Sequence, residues 1–557
     1  MSFLSLLFMF SPALAQQPVL VKDINGPTAE TRSLAPQQLI NRNGTLYFVG
    51  NSETQGRELW KSNGTAAGTT LVKDITPGAG NSDISGLTLV NGTLYFAAQG
   101  ELWKSDGTAA GTVRVLKLYP SAAANPSSLV SLNGTLYFSA SDGSGTDLWR
   151  SDGTAAGTTL VKSFPDYNYP LVLVSAGGAL YCATADDYPA QLWKSNGTPA
   201  GTVELGGFRV LKIEDMIAVN GTVFFTAYGL GEGIELWKSN GTAAGTVLVK
   251  DIDPGYLVSE WGTPYREYNH SVPRDFTNVN GTVFFTASDT NGRAVWKSDG
   301  TDAGTVRVSP SFPLPNSDNF SPADLTNVNG TLYFGAVGDL WKSNGTPAGT
   351  AMLKDIGTGA VNPFHFTAIN GTVYFTAADA AGTSRLWKTN GTANGTVSVA
   401  DSPASPANLT NVNGTLYFSG TGATVGNELW KVAAPAVAGT FRVNAGGSSR
   451  STADGRNFAA DAYFSGGVVS TASTAGIGGT ADDYLYQTGR HGSSFAYNFP
   501  TGNGSYDVVL HFAETYWGSA AAGGAGSRRF HVNLEGVRKL TDYDIFVRAG
   551  GALRVAQ

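Results

Sequence analysis

The sequence predicts an all-β chain, with a β-propeller of about nine four-stranded repeat units followed by a smaller C-terminal β-sandwich. Three observations carry this reading. An octapeptide of the type Glu-Leu-Trp-Lys-Ser-(Asn/Asp)-Gly-Thr recurs with its tryptophan at Trp60, Trp103, Trp149, Trp193, Trp237, Trp296, Trp341, Trp387 and Trp430. A hairpin signal, Asn-Gly-Thr between apolar segments, precedes these tryptophans at Asn43, Asn91, Asn133, Asn220, Asn280, Asn329, Asn370 and Asn413, and only the fourth unit departs, with Gly177-Gly178. The two ends of the repeat region are complementary fragments of one unit. At 557 residues the chain is too long for one core, which stops growing near roughly 250–300 residues unless the chain is a repeat array.

The tryptophans are spaced 43, 46, 44, 44, 59, 45, 46 and 43 residues apart, the period of a propeller blade. Each unit reads as four strands, for example Leu87–Val90, Thr93–Ala97, Glu101–Lys104 and Val113–Leu118. Asn-Gly is the natural turn between the first two, because a type I′ turn needs positive φ at both central residues. No window sustains a helical period. The segment Val19–Ile24 is a fourth strand without its first three, and the last unit stops after its third strand at Leu429-Trp430-Lys431. Closing the ring with the N-terminal strand hides the edges that an open array exposes.

Composition supports this reading. Charged residues are 14%, aromatic 11% and hydrophobic 42%, with 71 Gly and 24 Pro, which suits short strands and tight turns and argues against disorder. A net charge of -7 without a basic cluster excludes nucleic acid and anionic membranes as expected partners. Phe3 to Phe10 form an apolar run followed by Ala13-Leu14-Ala15, read as a signal peptide over residues 1–15, although no Lys or Arg precedes the run. Export, to the medium or the cell surface, is the expected localisation. No later stretch is apolar for the roughly 18 residues or more that a spanning helix requires. Cys182, the only cysteine, stands where sister units carry Phe and reads as a small buried residue.

The fourteen Asn-Gly-Thr triplets are formal glycosylation acceptors, but turns demand Asn-Gly and the following strand favours Thr. Asp106, Asp152 and Asp299 replace Asn in some units; a side chain capping its own turn explains both residues without a cation. The repeated tryptophans read as inter-blade core. The long spacing holds an insertion, Tyr256 to Asp275, with Tyr256, Trp261, Tyr265, Tyr268 and His270 outside the repeat pattern. Trp261, Tyr265 and Tyr268 are its candidate contact residues, the other reading being a self-packed loop.

The octapeptide, as at Glu101-Leu102-Trp103-Lys104-Ser105-Asp106-Gly107-Thr108, resembles the bacterial ELWxxDGT repeat family over residues 19–431. That resemblance implies a secreted or surface protein and brings no catalytic residues. After a linker at 432–439 the composition changes. Phe441-Arg442-Val443-Asn444-Ala445-Gly446-Gly447, Asp482-Asp483-Tyr484-Leu485-Tyr486-Gln487-Thr488, Phe495-Ala496-Tyr497 and Val509 to Tyr516 resemble, in that order, the malectin domain, a lectin-like β-sandwich that binds glucose-type disaccharides. The resemblance covers 440–557 and implies sugar contacts at His491, Tyr516 and Trp517. It also implies that the domain is C-terminally incomplete, since the family continues past the strands that follow Asp544-Ile545-Phe546.

Two function classes follow, beside a purely structural surface protein whose module has no glycan affinity. In one, a non-catalytic scaffold carries a carbohydrate-binding module for adhesion or polysaccharide attachment, with the propeller face available to a protein partner. In the other, the propeller is a glycosidase or lyase, which needs two carboxylates about 5–9.5 Å apart in its funnel. The carboxylates outside the repeat pattern, Asp166, Asp186, Asp187, Asp215 and Glu260, look scattered, and neither a nucleophile motif nor metal-spaced histidines occur. The expectation is a binder without catalytic residues, metal or cofactor.

Overall fold

The structure is a computed structural model. It describes residues 3–6, 17–26, 33–118, 125–141, 145–164, 172–184, 191–205, 210–229, 231–258, 266–312, 321–356, 362–379 and 381–432, and in the C-terminal region mainly the strands named below. Two compact units emerge, 16–433 and a second formed by 1–15 with 434–557.

The larger unit is a propeller of nine four-stranded antiparallel sheets. In blade 1 the strands are Gln37–Arg42, Thr45–Ser52, Gly56–Ser62 and Thr70–Lys73, hydrogen-bonded in chain order. Blades 2 to 8 repeat this at 85–116, 127–164, 172–204, 210–250, 274–307, 323–354 and 364–398. Blade 9 takes three strands from 404–432 and its outer one from Val19–Lys22, which pairs Val19 with Lys431 and Leu20 with Trp430. The first strand of each blade touches the first strands of both neighbours all the way round, so the ring is closed and these strands form its inner wall.

Turn chemistry sets the register. Asn43 and Gly44 have φ of 50° and 84°, and the pair repeats to Asn413 and Gly414 at 49° and 81°; Gly177 and Gly178 meet the same demand at 55° and 79°. The Asn amides are also used: Asn91 Nδ2 donates to the Gly134 carbonyl (3.1 Å) and Asn220 Nδ2 to that of Gly281 (3.0 Å), each in the next blade. In the second turn, Asn63 Oδ1 accepts the Thr65 N–H (3.0 Å) and hydroxyl (2.8 Å), and Asp106 does the same for Thr108. Those Thr108 bonds hold the Asp106 carboxyl below its usual range. Asn and Asp are thus interchangeable turn caps.

Strand alternation builds the core. On one face of blade 1, Leu46, Phe48 and Trp60 pack on Tyr417 and Leu429 of blade 9; on the other, Tyr47, Leu59 and Val72 pack on Leu94 and Phe96 of blade 2. Such a cluster fills every junction, and each repeat Trp lies directly across from a fully buried partner, as in Phe48–Trp60 and Phe418–Trp430. In blade 4 that partner is Cys182, opposite Trp193; burial pushes its thiol up to about 12.

A carboxylate at the first position of the octapeptide closes several of the blades. Glu58 accepts the N–H groups of Ile75 (3.1 Å) and Thr76 (3.3 Å) and the Ser82 hydroxyl. Glu235 accepts those of Ile252 (2.9 Å) and Ser271 (3.0 Å) and the Ser271 hydroxyl (2.5 Å). Asp147 and Asp339 likewise take the N–H of Phe164 and Ile356. A buried carboxylate therefore caps the end of the outer strand, where the chain turns inward to the next blade. Desolvation raises Glu58 and Asp339, Glu235 to about 8 and Glu428 to about 7, because burial disfavours the charged form more than the bonds favour it.

In the second unit a sheet runs in the order Val443–Asn444, Phe3–Leu6, Leu510–Ala513 and Val555–Ala556. Leu4, in the stretch expected to be a leader, pairs with Phe512. Further hairpins join Phe464–Thr471 to Thr488–Tyr497 and Phe530–Leu534 to Val537–Tyr543.

Candidate functional site

Of the three residues expected to contact sugar, His491 lies on Thr488–Tyr497 opposite Val468, while Tyr516 and Trp517 lie outside the described residues, a few positions after Leu510–Ala513. In the insertion, Tyr256–Val258 and Arg266–Tyr268 form a hairpin that pairs Tyr256 with Tyr268, their rings 6.1 Å apart and edge-on. His270 accepts the Ile234 N–H at Nδ1 (3.1 Å) and meets the Tyr228 ring edge-on at 5.3 Å. The described part of this loop packs on itself and on blade 5; Trp261 and Tyr265 lie outside the described residues.

The inner wall holds residues that the sequence reading missed. The first strand of every blade but the fourth carries a bulge, and in all of these except blade 5 a residue with positive φ sits in it: Gln38 (52°), Gly86 (68°), Ser128 (50°), Asp275 (57°), Asp324 (56°), His365 (58°) and Asn408 (57°). A non-glycine residue pays a steric cost in that region, yet these blades keep the conformation with different side chains. The signal was present, because each stands five residues before the Asn (or its Gly177 equivalent) of the first turn; blade 5 offers Asp215 there and blade 4 Val172. Four adjacent blades thus present Asp215, Asp275, Asp324 and His365 on the inner strand.

Three of these are physically coupled. The His365 backbone N–H donates to the Asp324 carboxylate, and Asp275 Oδ2 accepts the Thr286 hydroxyl at 3.2 Å. Asp275 is raised, first by desolvation and then by the Asp324 charge, with Arg293 and Arg274 opposing. Its side chain reaches solvent, but the wall of the ring encloses it with protein on most sides, which explains the desolvation. His365 is lowered by burial against the pull of Asp324, and its ring meets Phe364 at 4.5 Å. Such a group can accept hydrogen bonds from hydroxyls or ammonium groups. Asp275 and Asp324, which the sequence reading did not single out, are thus neighbouring acids on the inner wall. Asp166, Asp186, Asp187 and Glu260 lie outside the described residues, and Asp215 Oδ1 accepts the Met216 N–H (2.9 Å). Among the described residues no three His, Cys, Asp or Glu side chains are grouped as metal ligands, and no helix is long and apolar enough to cross a membrane.

Comparison with solved structures finds matches at low similarity. The computationally designed Ika8 protein is 14% identical, with a TM-score of 0.39, covering 66% of this chain and 99% of that one. Puromycin hydrolase is 14% identical (TM-score 0.35; 74% and 62%), and the Niastella koreensis GH74 enzyme 14% (TM-score 0.28; 75% and 65%). The chain therefore spans somewhat less than two thirds of either enzyme. No curated protein matches the chain. Against protein families, residues 440–557 match the Malectin domain.

Proposed function

We propose that this is a secreted or cell-surface, non-catalytic carbohydrate-binding protein of the bacterial ELWxxDGT-repeat type. In this reading residues 1–15 are a leader, the propeller is a rigid scaffold with a face for a protein partner, and the C-terminal module binds glucose-type oligosaccharides in adhesion or polysaccharide attachment. The observation that carries it is the Malectin match over 440–557. A hexose offers an apolar C–H face that stacks on aromatic rings and hydroxyls that need polar partners. Tyr516 and Trp517 supply the rings in this proposal, and His491 lines the same pocket.

The test is calorimetric titration of maltose and nigerose into the full chain and its Tyr516→Ala variant. Loss of one aromatic anchor should weaken binding about thirtyfold, ~2 kcal/mol. Equal affinities in two folded proteins would place the site elsewhere. A second reading, a polysaccharide hydrolase, draws on the neighbouring Asp275 and Asp324 of the inner wall; turnover that disappears in either the Asp275→Asn or the Asp324→Asn variant would establish it.

A further inference from the structure

The ring closes on a carboxylate that lacks the partners its sister residues have. Glu58, Glu235 and Glu428 are all fully buried and occupy one slot of the repeat. The first two each have three donors, one of them a serine hydroxyl, Ser82 or Ser271. At the seam between blades 9 and 1, Leu34 stands in the serine position. Its N–H bonds to Glu428 Oε1 at 3.0 Å as that of Ser271 does to Glu235. A residue of positive φ follows in each case, Ala35, Asp83 or Val272. Leucine has no hydroxyl to give, and Glu428 Oε2 is buried with no hydrogen-bond partner. The Ile24 N–H eases its charge without reaching hydrogen-bond geometry.

Among the described residues no cation is set against Glu428. Asp23, on the closing segment, is the charged group that acts on Glu428, and it does so repulsively. Lys22 is committed to the Thr69 carbonyl (2.9 Å) and Lys431 to that of Gly64 (2.8 Å). The seam is otherwise an apolar set including Val21, Leu34, Phe48 and Trp60, with Tyr417 as its phenol. A lone buried carboxylate oxygen beside a second carboxylate is satisfied most simply by taking up a proton, which removes the charge.

We infer that Glu428 is a proton-binding latch at the ring closure: protonated, it holds the N-terminal segment against blade 9, and its ionisation loosens the seam. The sign follows from a folded value raised to about 7 from the ordinary 4.5. The stabilisation is complete below the unfolded value and is lost as pH rises from about 4.5 to about 7. The seam is therefore tighter in acid.

Hydrogen exchange of the full chain at pH 5 and pH 8, corrected for intrinsic rates, tests this on residues 19–24 and 33–36. Opening of those segments should rise on the order of tenfold at pH 8. Glu428→Gln, which imitates the neutral acid and places there the residue type that blade 4 carries naturally as Gln191, should abolish the rise, whereas Glu235→Gln should leave it intact. Exchange at the seam that is indifferent to pH, or equally dependent on pH in Glu428→Gln, would overturn the latch. If Glu428→Gln does not fold, Leu34→Thr provides the missing hydroxyl and should reduce the pH dependence; an unchanged dependence would count against the proposal.

Discussion

The ε-ammonium group of Lys431, in the last blade, donates to the main-chain carbonyl of Gly64, in the first, at 2.8 Å. The same bond links Lys61 to Gly107, Lys194 to Gly241, Lys238 to Gly300, Lys297 to Gly345 and Lys342 to Gly391, and Arg150 takes the lysine's place towards Gly197. The consensus Lys and Gly of the octapeptide are thus two halves of an inter-blade tie, each made with the neighbouring unit. A charge-assisted bond to a half-buried carbonyl contributes about 1.5 kcal/mol. Lys431→Met, which keeps most of the apolar stem, is expected to lower stability by about that much in urea unfolding, and to increase proteolysis near residue 19.

The glycine of that tie has a second constraint. Gly107 sits at φ +90°, where a Cβ would collide with the Tyr47 hydroxyl, whereas Gly92, at φ +76°, has nothing within 4 Å of the same position. Gly92→Ala should cost only the left-handed strain, about 1–2 kcal/mol. Gly107→Ala carries that strain plus displacement of a buried tyrosine and should cost about 3 kcal/mol or more. Equal losses in the two variants would show that Tyr47 moves aside freely.

These ties mark the limit of what the sequence disclosed. Nine tryptophans at nearly constant spacing, Asn-Gly turns and two complementary ends suffice for the architecture, because turn geometry and inter-blade packing impose the same residues on every unit. A lysine on a strand looks solvated until its partner in another unit is known, so the Lys431–Gly64 type of bond is invisible along one chain. The inner-wall residues escaped for the opposite reason: Gln38, Ser128, Asp275, Asp324 and His365 differ from unit to unit, and a search for what repeats passes over a slot defined by its variation. His491, Tyr516 and Trp517 came from family resemblance, which periodicity cannot replace in a domain without repeats.

The buried acids give the propeller an unusual pH dependence. Glu235 is raised to about 8 from 4.5, so between those values the folded chain holds a proton that the unfolded chain has released. Stability must then fall as pH rises through that interval. Thermal unfolding at pH 5.5 and 8.5 should show the higher midpoint in acid. Glu235→Gln keeps the shape and removes the titration, so it should reduce the difference and raise the midpoint at pH 8.5. A variant with the wild-type slope would mean that Glu235 is ionised in the fold throughout.

The junction between blades 3 and 4 carries a compensated exchange of volume. Blade 4 has Cys182 where the other blades have a fully buried Phe, and blade 3 has Phe164 where Ile75, Ile252 and Ile356 stand elsewhere. Both residues belong to one buried cluster, and the Phe164 ring meets Trp193, the cross-strand partner of Cys182, edge-on at 5.4 Å. The ring missing from one strand is thus supplied from the neighbouring blade. Cys182→Phe alone should overpack the cluster and cost about 1–3 kcal/mol, and Phe164→Ile alone should leave a gap of similar cost. Together they restore the arrangement of the other junctions, so the double variant should lie within about 1 kcal/mol of the parent, a favourable coupling of about 2 kcal/mol or more in a double-mutant cycle by urea unfolding. Additive losses would show that the two side chains do not share one space.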